Sequence, residues 1–274
     1  MKQTLRNLQA DDEAVTPVST PVSTNDETAP SASAPVNASE RLIFALDVPT
    51  VPDARQLIKS LDGVVSFFKI GLELYMGSGL ELLPELTASG KKVFLDLKYF
   101  DVPETVKKAV ARAAALGASF LTIHGNAKIV KAAVEGRGSA GLKLLAVTAL
   151  TSLDNDDMND MGFRCTVQDL VMHRAKKAME AGCDGVITSP EEAAKIKALA
   201  KQIEGMEHKF LIVTPGIRPA HSSHDDHKRF SSPTQAIKAG ADFLVVGRPI
   251  RDAANPRQAA TAIIAEMQAA FDSL

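Results

Sequence analysis

Two carboxylates and an ammonium group lie within six positions of one another where an apolar segment ends. The segment Val93 to Leu97 contains Asp96, and Lys98 and Asp101 follow it. If the segment is a strand, Asp96 and Lys98 project to the same face, because strand side chains alternate. Charges packed at a strand end cost desolvation free energy, and catalysis is the usual reason to keep them. The spacing therefore predicts a catalytic site.

From Leu42 onward the chain repeats a short apolar segment, a turn and a longer segment with helical spacing. The predicted strands are Leu42 to Leu46, Phe67 to Ile70, Val93 to Leu97, Phe120 to Ile123, Leu144 to Ala149, Gly185 to Thr188, Phe210 to Val213 and Phe243 to Val246. Helices are predicted between them, for example from Pro103 to Leu116 and from Val167 to Ala181. Eight such units predict an α/β fold, a single (β/α)8 TIM barrel in residues 41–274. A doubly wound open sheet is the alternative, although Met76 to Gly79 makes a poor dinucleotide-binding turn.

The composition is that of a soluble globular protein, with 274 residues, 45% hydrophobic residues and a net charge of -2. The balanced charge argues against nucleic acid as a partner. No apolar run approaches the roughly 20 residues needed to span a membrane. Cys165 and Cys183 are too few for a disulfide framework, which suits a reducing compartment. We therefore expect a cytoplasmic protein.

Residues 1–40 differ from the rest of the chain. Thr, Ser, Pro, Ala and acidic residues dominate, and the unit Thr-Pro-Val-Ser occurs twice, at Thr16 to Ser19 and at Thr20 to Ser23. Such a segment buries too little apolar area to offset its ordering entropy. We expect a disordered, low-complexity tail there.

Further charged residues follow the other predicted strands. In a barrel the active site lies at the carboxyl ends of the strands, and Asp47 and Lys69 stand at the ends of the first two. They are expected to converge with Asp96, Lys98 and Asp101 on one rim. The alternative is that Asp101 caps the helix that starts at Pro103 and that the other charged residues form one structural ion-pair network.

The last two strands are followed by turns suited to phosphate. Thr214 to Pro219 contains Gly216 and Arg218, and Gly247 and Arg248 follow the eighth strand. Loops at these positions commonly bind phosphate in barrels, through glycine amides and a cation. The alternative is turn chemistry with two exposed arginines. A phosphorylated small molecule is the predicted ligand.

Three weaker signals complete the set of polar candidates. Thr151 and Ser152 follow the fifth strand and are able to donate hydrogen bonds to polar edges of a ligand, although small hydroxyl residues are also turn formers. His124 is interpreted as a core histidine. The segment Ala220 to Arg229 contains three histidines and two aspartates, which suggests a metal site, but a solvated polar loop is the ordinary explanation.

Taken together, these segments resemble the orotidine 5'-phosphate decarboxylase family, and its bacterial form most closely. The matching segments are Ala45 to Asp47, Lys69 to Gly71, Asp96 to Lys98, Asp101 to Pro103 with Thr105, Leu150 to Ser152, Thr214 to Pro219, and Gly247 to Pro249. The D-x-K-x-x-D signature followed by a hydrophobic residue and proline is specific. The resemblance runs from about Leu42 to the C-terminus. It implies a homodimeric barrel that converts orotidine 5'-monophosphate (OMP) to uridine 5'-monophosphate (UMP) and carbon dioxide without metal or organic cofactor.

The resemblance also implies a role for each charged residue at the rim. Lys98 would protonate the pyrimidine carbon that loses carbon dioxide, and Asp96 would lie beside the substrate carboxylate. Lys69 and Asp101 would hold Lys98 and the ribose hydroxyls, with Asp101 contributed by the neighbouring subunit. Asp47 would bind the ribose.

The remaining substrate contacts that the resemblance implies are Val102, Thr105, Thr151, Pro215, Arg218, His227, Gly247 and Arg248. Thr151 would lie near the pyrimidine, while Arg218, Gly247 and Arg248 would lie on the phosphate side. His227 stands where the bacterial family generally has glutamine, and a histidine still donates a hydrogen bond to phosphate. Glu104 stands where asparagine is common, which should matter little in the first turn of a helix.

Two other functions fit parts of the pattern. Related sugar-phosphate barrels, such as keto-gulonate-phosphate decarboxylase and hexulose-phosphate synthase, share the D-x-K-x-x-D motif but need magnesium. They typically place an acidic ligand where this chain has Lys69, so the lysine favours the pyrimidine substrate. A catalytically silent nucleotide sensor would be expected to lack Asp96 or Lys98, and both are present.

Overall fold

The barrel is closed by eight parallel strands in chain order. The computed structural model describes residues 36–207, 209–219 and 231–274. The strands are β1 (Leu42–Ala45), β2 (Phe67–Ile70), β3 (Lys92–Tyr99), β4 (Phe120–His124), β5 (Lys143–Val147), β6 (Gly185–Ile187), β7 (Leu211–Thr214) and β8 (Phe243–Val246). β1 pairs with β8 through Leu42 opposite Leu244, so the sheet has no free edge. The predicted TIM barrel is confirmed, and the open doubly wound sheet is excluded.

Helices follow the strands and cover the outside of the barrel. They are α1 (Val51–Ser60), α2 (Leu72–Met76), α3 (Leu82–Ala88), α4 (Pro103–Ala115), α5 (Ala127–Arg137), α6 (Asn155–Asp160), α7 (Val167–Glu180), α8 (Pro190–Ala200), α9 (Pro233–Lys238), α10 (Arg248–Arg251) and α11 (Pro256–Phe271). Within the described residues, none of these helices combines the length and the apolar character that crossing a membrane requires.

The predicted elements differ from the observed ones mainly at the third and fifth strands. β3 was expected to end at Leu97 but continues to Tyr99, because Tyr99 still pairs with Ile123 of β4. β5 ends at Val147 rather than at Ala149, where its pairing with β6 ends. The two helices predicted after β3 and before β6 end one residue earlier than expected. The candidate residues thus keep their places at the strand ends.

The side chains that point into the barrel form an apolar cluster of their own. Its buried members are Ile43, Ala45, Phe67, Phe94, Phe120, Leu145, Val213, Phe243 and Val245. The rings of Phe67, Phe120 and Phe243 pack edge to face, with centroids 4.9, 5.1 and 6.1 Å apart. Because strand side chains alternate, the positions two residues beyond Ala45, Phe67 and Phe94 also face inward. This places Asp47, Lys69 and Asp96 above the apolar cluster.

The residue just before each of the strands β4, β6 and β8 uses its side chain to accept a hydrogen bond. The donor is a main-chain N–H of the neighbouring strand β3, β5 or β7, respectively. The pairs are Ser119 with Val93, Asp184 with Leu144, and Asp242 with Ile212, at 3.3, 2.9 and 2.7 Å. In each case the N–H belongs to the second residue of β3, β5 or β7. A cation neutralises each carboxylate, as Lys197 does for Asp242. These contacts hold the register of the barrel at its amino-terminal end.

The compact unit that contains the barrel begins at Val36 rather than at residue 41. Ala38–Glu40 forms a short 3-10 helix, and Ala38 is fully buried. Gln268 of α11 accepts the Ala38 N–H at 2.9 Å and donates to the Val36 carbonyl at 3.0 Å. These tertiary contacts order a segment whose composition alone resembles a tail. The rest of the predicted tail, residues 1–35, lies outside the described residues.

The Asp242 contact predicts a stability effect. Asp242→Ala removes the acceptor for the Ile212 N–H and leaves Lys197 without its carboxylate, so the free energy of unfolding should fall by about 1–3 kcal/mol. Urea denaturation followed by circular dichroism measures the change. Asp62→Ala is the control, because the Asp62 side chain is 71% exposed and pairs with Lys91 at the surface. A loss in Asp242→Ala no larger than in the control would contradict the register-holding role.

Candidate active site

A cavity of about 520 Å³ opens at the carboxyl ends of the strands. The predicted site residues that line it are Asp47, Lys69, Asp96, Lys98, Thr151, Pro215, Arg218, Gly247 and Arg248. Ser152, the second hydroxyl considered after the fifth strand, lines it too. Ala45, Phe94 and Val245 belong both to this lining and to the apolar cluster below. The charged groups therefore stand on an apolar floor that excludes water from beneath.

Four charged side chains from the first three strands form a continuous chain. Lys69 Nζ lies 3.0 Å from Asp47 Oδ1 and 3.6 Å from Asp96 Oδ2. Lys98 Nζ lies 2.9 Å from Asp96 Oδ1. Lys69 is only 7% exposed, whereas the side chains of Asp47 and Lys98 are 44% and 35% exposed. Carboxylate and ammonium groups thus alternate in the order Asp47, Lys69, Asp96 and Lys98, with the buried Lys69 between the two carboxylates.

Gly71 leaves the space that this arrangement needs. A Cβ atom at position 71 would lie 3.0 Å from Lys69 Nζ and 3.2 Å from Asp47 Oδ1. Contacts that short would force the ion pair to move. The requirement is one of space and not of backbone conformation, because Gly71 has an ordinary φ of -96°.

The main chain at Lys98 is strained, and Thr122 holds it. Lys98 has a φ of +48°, a left-handed conformation that is rare for a residue with a Cβ atom. The register between β3 and β4 shifts between Leu95 and Tyr99, which interrupts the regular alternation expected for Asp96 and Lys98. The Lys98 N–H donates to Thr122 Oγ1 at 2.9 Å, and that hydroxyl donates to Asp96 Oδ1 at 3.0 Å. The two side chains still meet because one threonine fixes both.

The environment of Asp96 keeps its carboxyl group ionised. Burial favours the neutral acid, but the ammonium groups of Lys69 and Lys98, together with hydrogen bonds from Lys98 and Thr122, outweigh burial and hold the pKa of Asp96 below its ordinary value. The charge of Asp96 therefore contributes stability at pH values above the unfolded pKa, about 3.9. That contribution is lost as the pH falls through the lower pKa of the folded state.

The wall of the cavity at the ends of β7 and β8, next to Asp47, carries two guanidinium groups. Arg218 follows β7, and Arg248 starts α10 directly after β8. Partial burial and the nearby charge of Arg248 lower the pKa of Arg218 from its ordinary value, because both disfavour a further cation. Gly216 and Gly247 bring main chain to the same wall, and Gly216 has a φ of +76°, which favours glycine. Two half-buried cations beside glycine turns make a site suited to a dianion.

Three predicted site residues in the described part of the chain do not line the cavity. Asp101, Val102 and Thr105 are exposed beside it, and Asp101 Oδ1 accepts the Val102 N–H at 2.6 Å. His227 lies outside the described residues, as does the segment Ala220 to Arg229. In the described part of the chain, no group of three or more His, Cys, Asp or Glu side chains is arranged to hold a metal ion. The roles of these four residues stay predictions.

Sequence reasoning missed several residues of the site. Thr122 is fully buried and touches both Asp96 and the Lys98 main chain, yet no charge or motif marks it. Its signal is positional, since a polar residue two positions after the inward-facing Phe120 must also face inward. Ser189 and Pro190, at the start of α8, line the cavity as well. His124 is not among the lining residues; it stacks on Phe100 and contacts Asn126 Oδ1 at 2.7 Å.

Curated proteins of known identity resemble the chain along most of its length. The orotidine 5'-phosphate decarboxylase of Nitrobacter winogradskyi is 51% identical over 230 residues, covering 84% of this chain and 93% of that protein. The orotidine 5'-phosphate decarboxylase of Methylococcus capsulatus is 47% identical over 239 residues, covering 86% of this chain and 96% of that protein.

Solved structures and a family model agree with these matches. The crystal structure of orotidine 5'-phosphate decarboxylase from Lactobacillus acidophilus superposes with a TM-score of 0.71 at 36% identity, covering 83% of this chain and 99% of that one. An uncharacterised conserved protein from Geobacillus kaustophilus gives 0.70 at 31% identity, covering 82% and 99%. Residues 40–263 match the model of the orotidine 5'-phosphate decarboxylase / HUMPS family. The chain therefore belongs to this family, and its sequence groups it with the bacterial orotidine 5'-phosphate decarboxylases.

Proposed function

We propose that this protein decarboxylates OMP to UMP and carbon dioxide without a metal or an organic cofactor, as the last step of de novo UMP biosynthesis. The observation that carries the proposal is a single cavity lined by the ion-paired residues Asp47, Lys69, Asp96 and Lys98 and, at the ends of the last two strands, by Arg218 and Arg248. The two groups of residues match the two ends of a nucleotide with an acidic base. We place the protein in the cytoplasm. Its proposed partner is the nucleotide substrate, and we propose no binding to nucleic acid or to membranes.

The phosphate side is proposed to hold the substrate while the charged chain acts on its base. Arg218 and Arg248 supply forked cationic donors, and Gly247 and Pro215 let the main chain approach closely. Asp47 accepts hydrogen bonds from ribose hydroxyls, and Thr151 lies at the pyrimidine. Binding free energy from the remote phosphate then offsets the cost of bringing the substrate carboxylate toward Asp96.

Lys98 performs the proton transfer in this proposal. The bond between the ring carbon and the carboxylate breaks, carbon dioxide leaves, and the electron pair stays on the ring carbon. The Lys98 ammonium stabilises that negative charge and donates a proton to it, which forms the new C–H bond. One such charge pair at 4 Å contributes roughly 4 kcal/mol at an effective dielectric near 20, whereas demanding enzymatic accelerations need about 20 kcal/mol. The rest is assigned to preorganisation, which the hold of Thr122 on Lys98 and Asp96 supports.

The active unit is proposed to be a homodimer in which Asp101 completes the site of the other subunit. Asp101, Val102 and Thr105 are exposed on the isolated chain although they directly follow the catalytic segment. The adjoining Phe100 and Val102 are 62% and 63% exposed, which is unusual for large apolar side chains next to a cavity. A second copy docked there would cover this apolar surface and bring Asp101 toward Lys98 and Lys69.

The proposed reaction predicts turnover in the presence of a chelator. Purified protein with excess EDTA should convert OMP to UMP, followed by the change in pyrimidine absorbance. Lys98→Ala should lower kcat by about a thousandfold or more, because it removes both the proton donor and the stabilising charge. Lys108→Ala on the exposed face of α4 is the matched control and should keep full activity, since its ammonium pairs with Glu104 at the surface. A folded wild-type protein that turns OMP over only after magnesium is added would instead favour the metal-dependent relatives.

The proposed homodimer predicts complementation between two inactive variants. Lys98→Ala and Asp101→Ala dimers should each be nearly inactive, while a hybrid of the two contains one site with an intact Lys98 and an intact Asp101 of the partner subunit. Random exchange should therefore restore about a quarter of the wild-type activity. Activity is measured after mixing under conditions that exchange subunits, and each variant exchanged with itself is the control. If hybrids form, as native mass spectrometry would show, and no activity returns, Asp101 does not act across the interface.

A further inference from the structure

The guanidinium of Arg251 joins the turn that follows β8 to Asp47, which follows β1. Arg251 Nη1 donates to the main-chain carbonyl of Asp47 at 2.7 Å. Its Nε and Nη2 donate to the two carboxylate oxygens of Asp252 at 2.5 and 2.9 Å. The Arg251 N–H donates to the Gly247 carbonyl at 3.0 Å, within the turn that carries Arg248. One side chain thus joins the phosphate-side turn to Asp47.

Asp47 needs such an anchor because it lies beyond its strand. β1 ends at Ala45, and Leu46 donates the next main-chain bond, to the Lys69 carbonyl at 2.9 Å. The Asp47 carboxylate contacts Lys69 through Oδ1, and its Oδ2 lies on the side of Gly247. The residue is therefore held at two points, by Lys69 at its side chain and by Arg251 at its carbonyl. Together these contacts determine where the carboxylate can point.

Asp252 keeps Arg251 in position. Its carboxylate is hydrogen-bonded to Arg251, which is the main reason that the pKa of Asp252 lies below its ordinary value, and the charges of Arg248 and Arg218 lower it further. The charges of three guanidinium groups thus act on Asp252. The ion pair itself is partly exposed, with side-chain exposures of 28% and 53%, so it stabilises the fold little. Its consequence is geometric: the guanidinium plane is fixed, and Nη1 is aimed at Asp47.

We propose that Arg251 is a positioning residue, which holds Asp47 in place for ribose binding by fastening its main chain to the turn of Gly247 and Arg248. The inference deepens the proposed function and rests on it. Arg251 does not touch the substrate in this proposal. It acts through Asp47, and this distinguishes it from Arg218 and Arg248, which act on the phosphate directly.

A double-mutant cycle on UMP binding tests this dependence. Calorimetry gives the Kd of the wild type, Arg251→Met, Asp47→Ala and the double variant. Arg251→Met should raise the Kd about tenfold, as expected for the loss of one charged hydrogen bond that orders a binding residue. In the double variant the Arg251 change should add less than about twofold to the effect of Asp47→Ala, because the group that it positions is gone. Effects that multiply in full would overturn the proposal, as would an Arg251→Met protein that binds UMP within twofold of the wild type.

Arg55→Met is the matched control for the loss of a surface arginine. Arg55 of α1 donates from Nε and Nη2 to the two carboxylate oxygens of Glu85, at 3.1 and 2.5 Å, on the outside of the barrel. It should leave the Kd for UMP unchanged, because its partners lie away from the cavity. Failure of the proposed function has a different signature, since the wild type would then neither bind UMP nor turn over OMP. In that case the inference falls with it.

Discussion

The buried ammonium group of Lys69 is the interaction on which the rest of the site depends. It lies between Asp47 and Asp96, at 3.0 and 3.6 Å, with almost no exposure to solvent. A charge in that position is tolerated only with partners, and removing one partner of a buried pair typically costs about 3–5 kcal/mol. The partners come from the strands on either side, because Ala45 and Phe94 flank Lys69 in the parallel register. Strand register and charge pairing therefore require each other.

The contacts that stabilise the barrel and the charged residues of the candidate site lie at opposite ends of the strands. At the amino-terminal end, Ser119, Asp184 and Asp242 use their side chains to hold main-chain groups of neighbouring strands. At the carboxyl end, acidic and basic side chains are left facing a cavity. A layer of packed phenylalanine rings separates the two, so charged groups at one end need not disturb the register at the other. This separation lets a strained residue such as Lys98 persist, since the rest of the barrel over-determines its position.

The seam between the first and last strands brings Asp47 of the charged chain next to the turn that carries Arg248. β1 and β8 are far apart in sequence but adjacent in the barrel, so Asp47 and the turn of Gly247 face each other. Arg251 spans this seam with one hydrogen bond to the Asp47 carbonyl. On the other side, the exposed Phe100 and Val102 leave an apolar edge beside the charged chain. The site of a single chain is thus fixed by hydrogen bonds at the seam, whereas its surface is exposed where a second copy is proposed to dock.

The sequence by itself determined the strand order, the barrel class and the charged residues at the rim, because apolar periodicity and the D-x-K-x-x-D spacing are local patterns. It also predicted that Arg218 and Arg248 share a side of the site, because both follow strands that are neighbours in a barrel. Only the tertiary structure decided the register shift around Lys98, the contacts of Thr122, the space left at Gly71 and the start of the compact unit at Val36. Each of these depends on contacts between residues that are distant in the chain or on the room between packed side chains. Neither composition nor spacing encodes such contacts, because their geometry arises only when the eight strands close on one another.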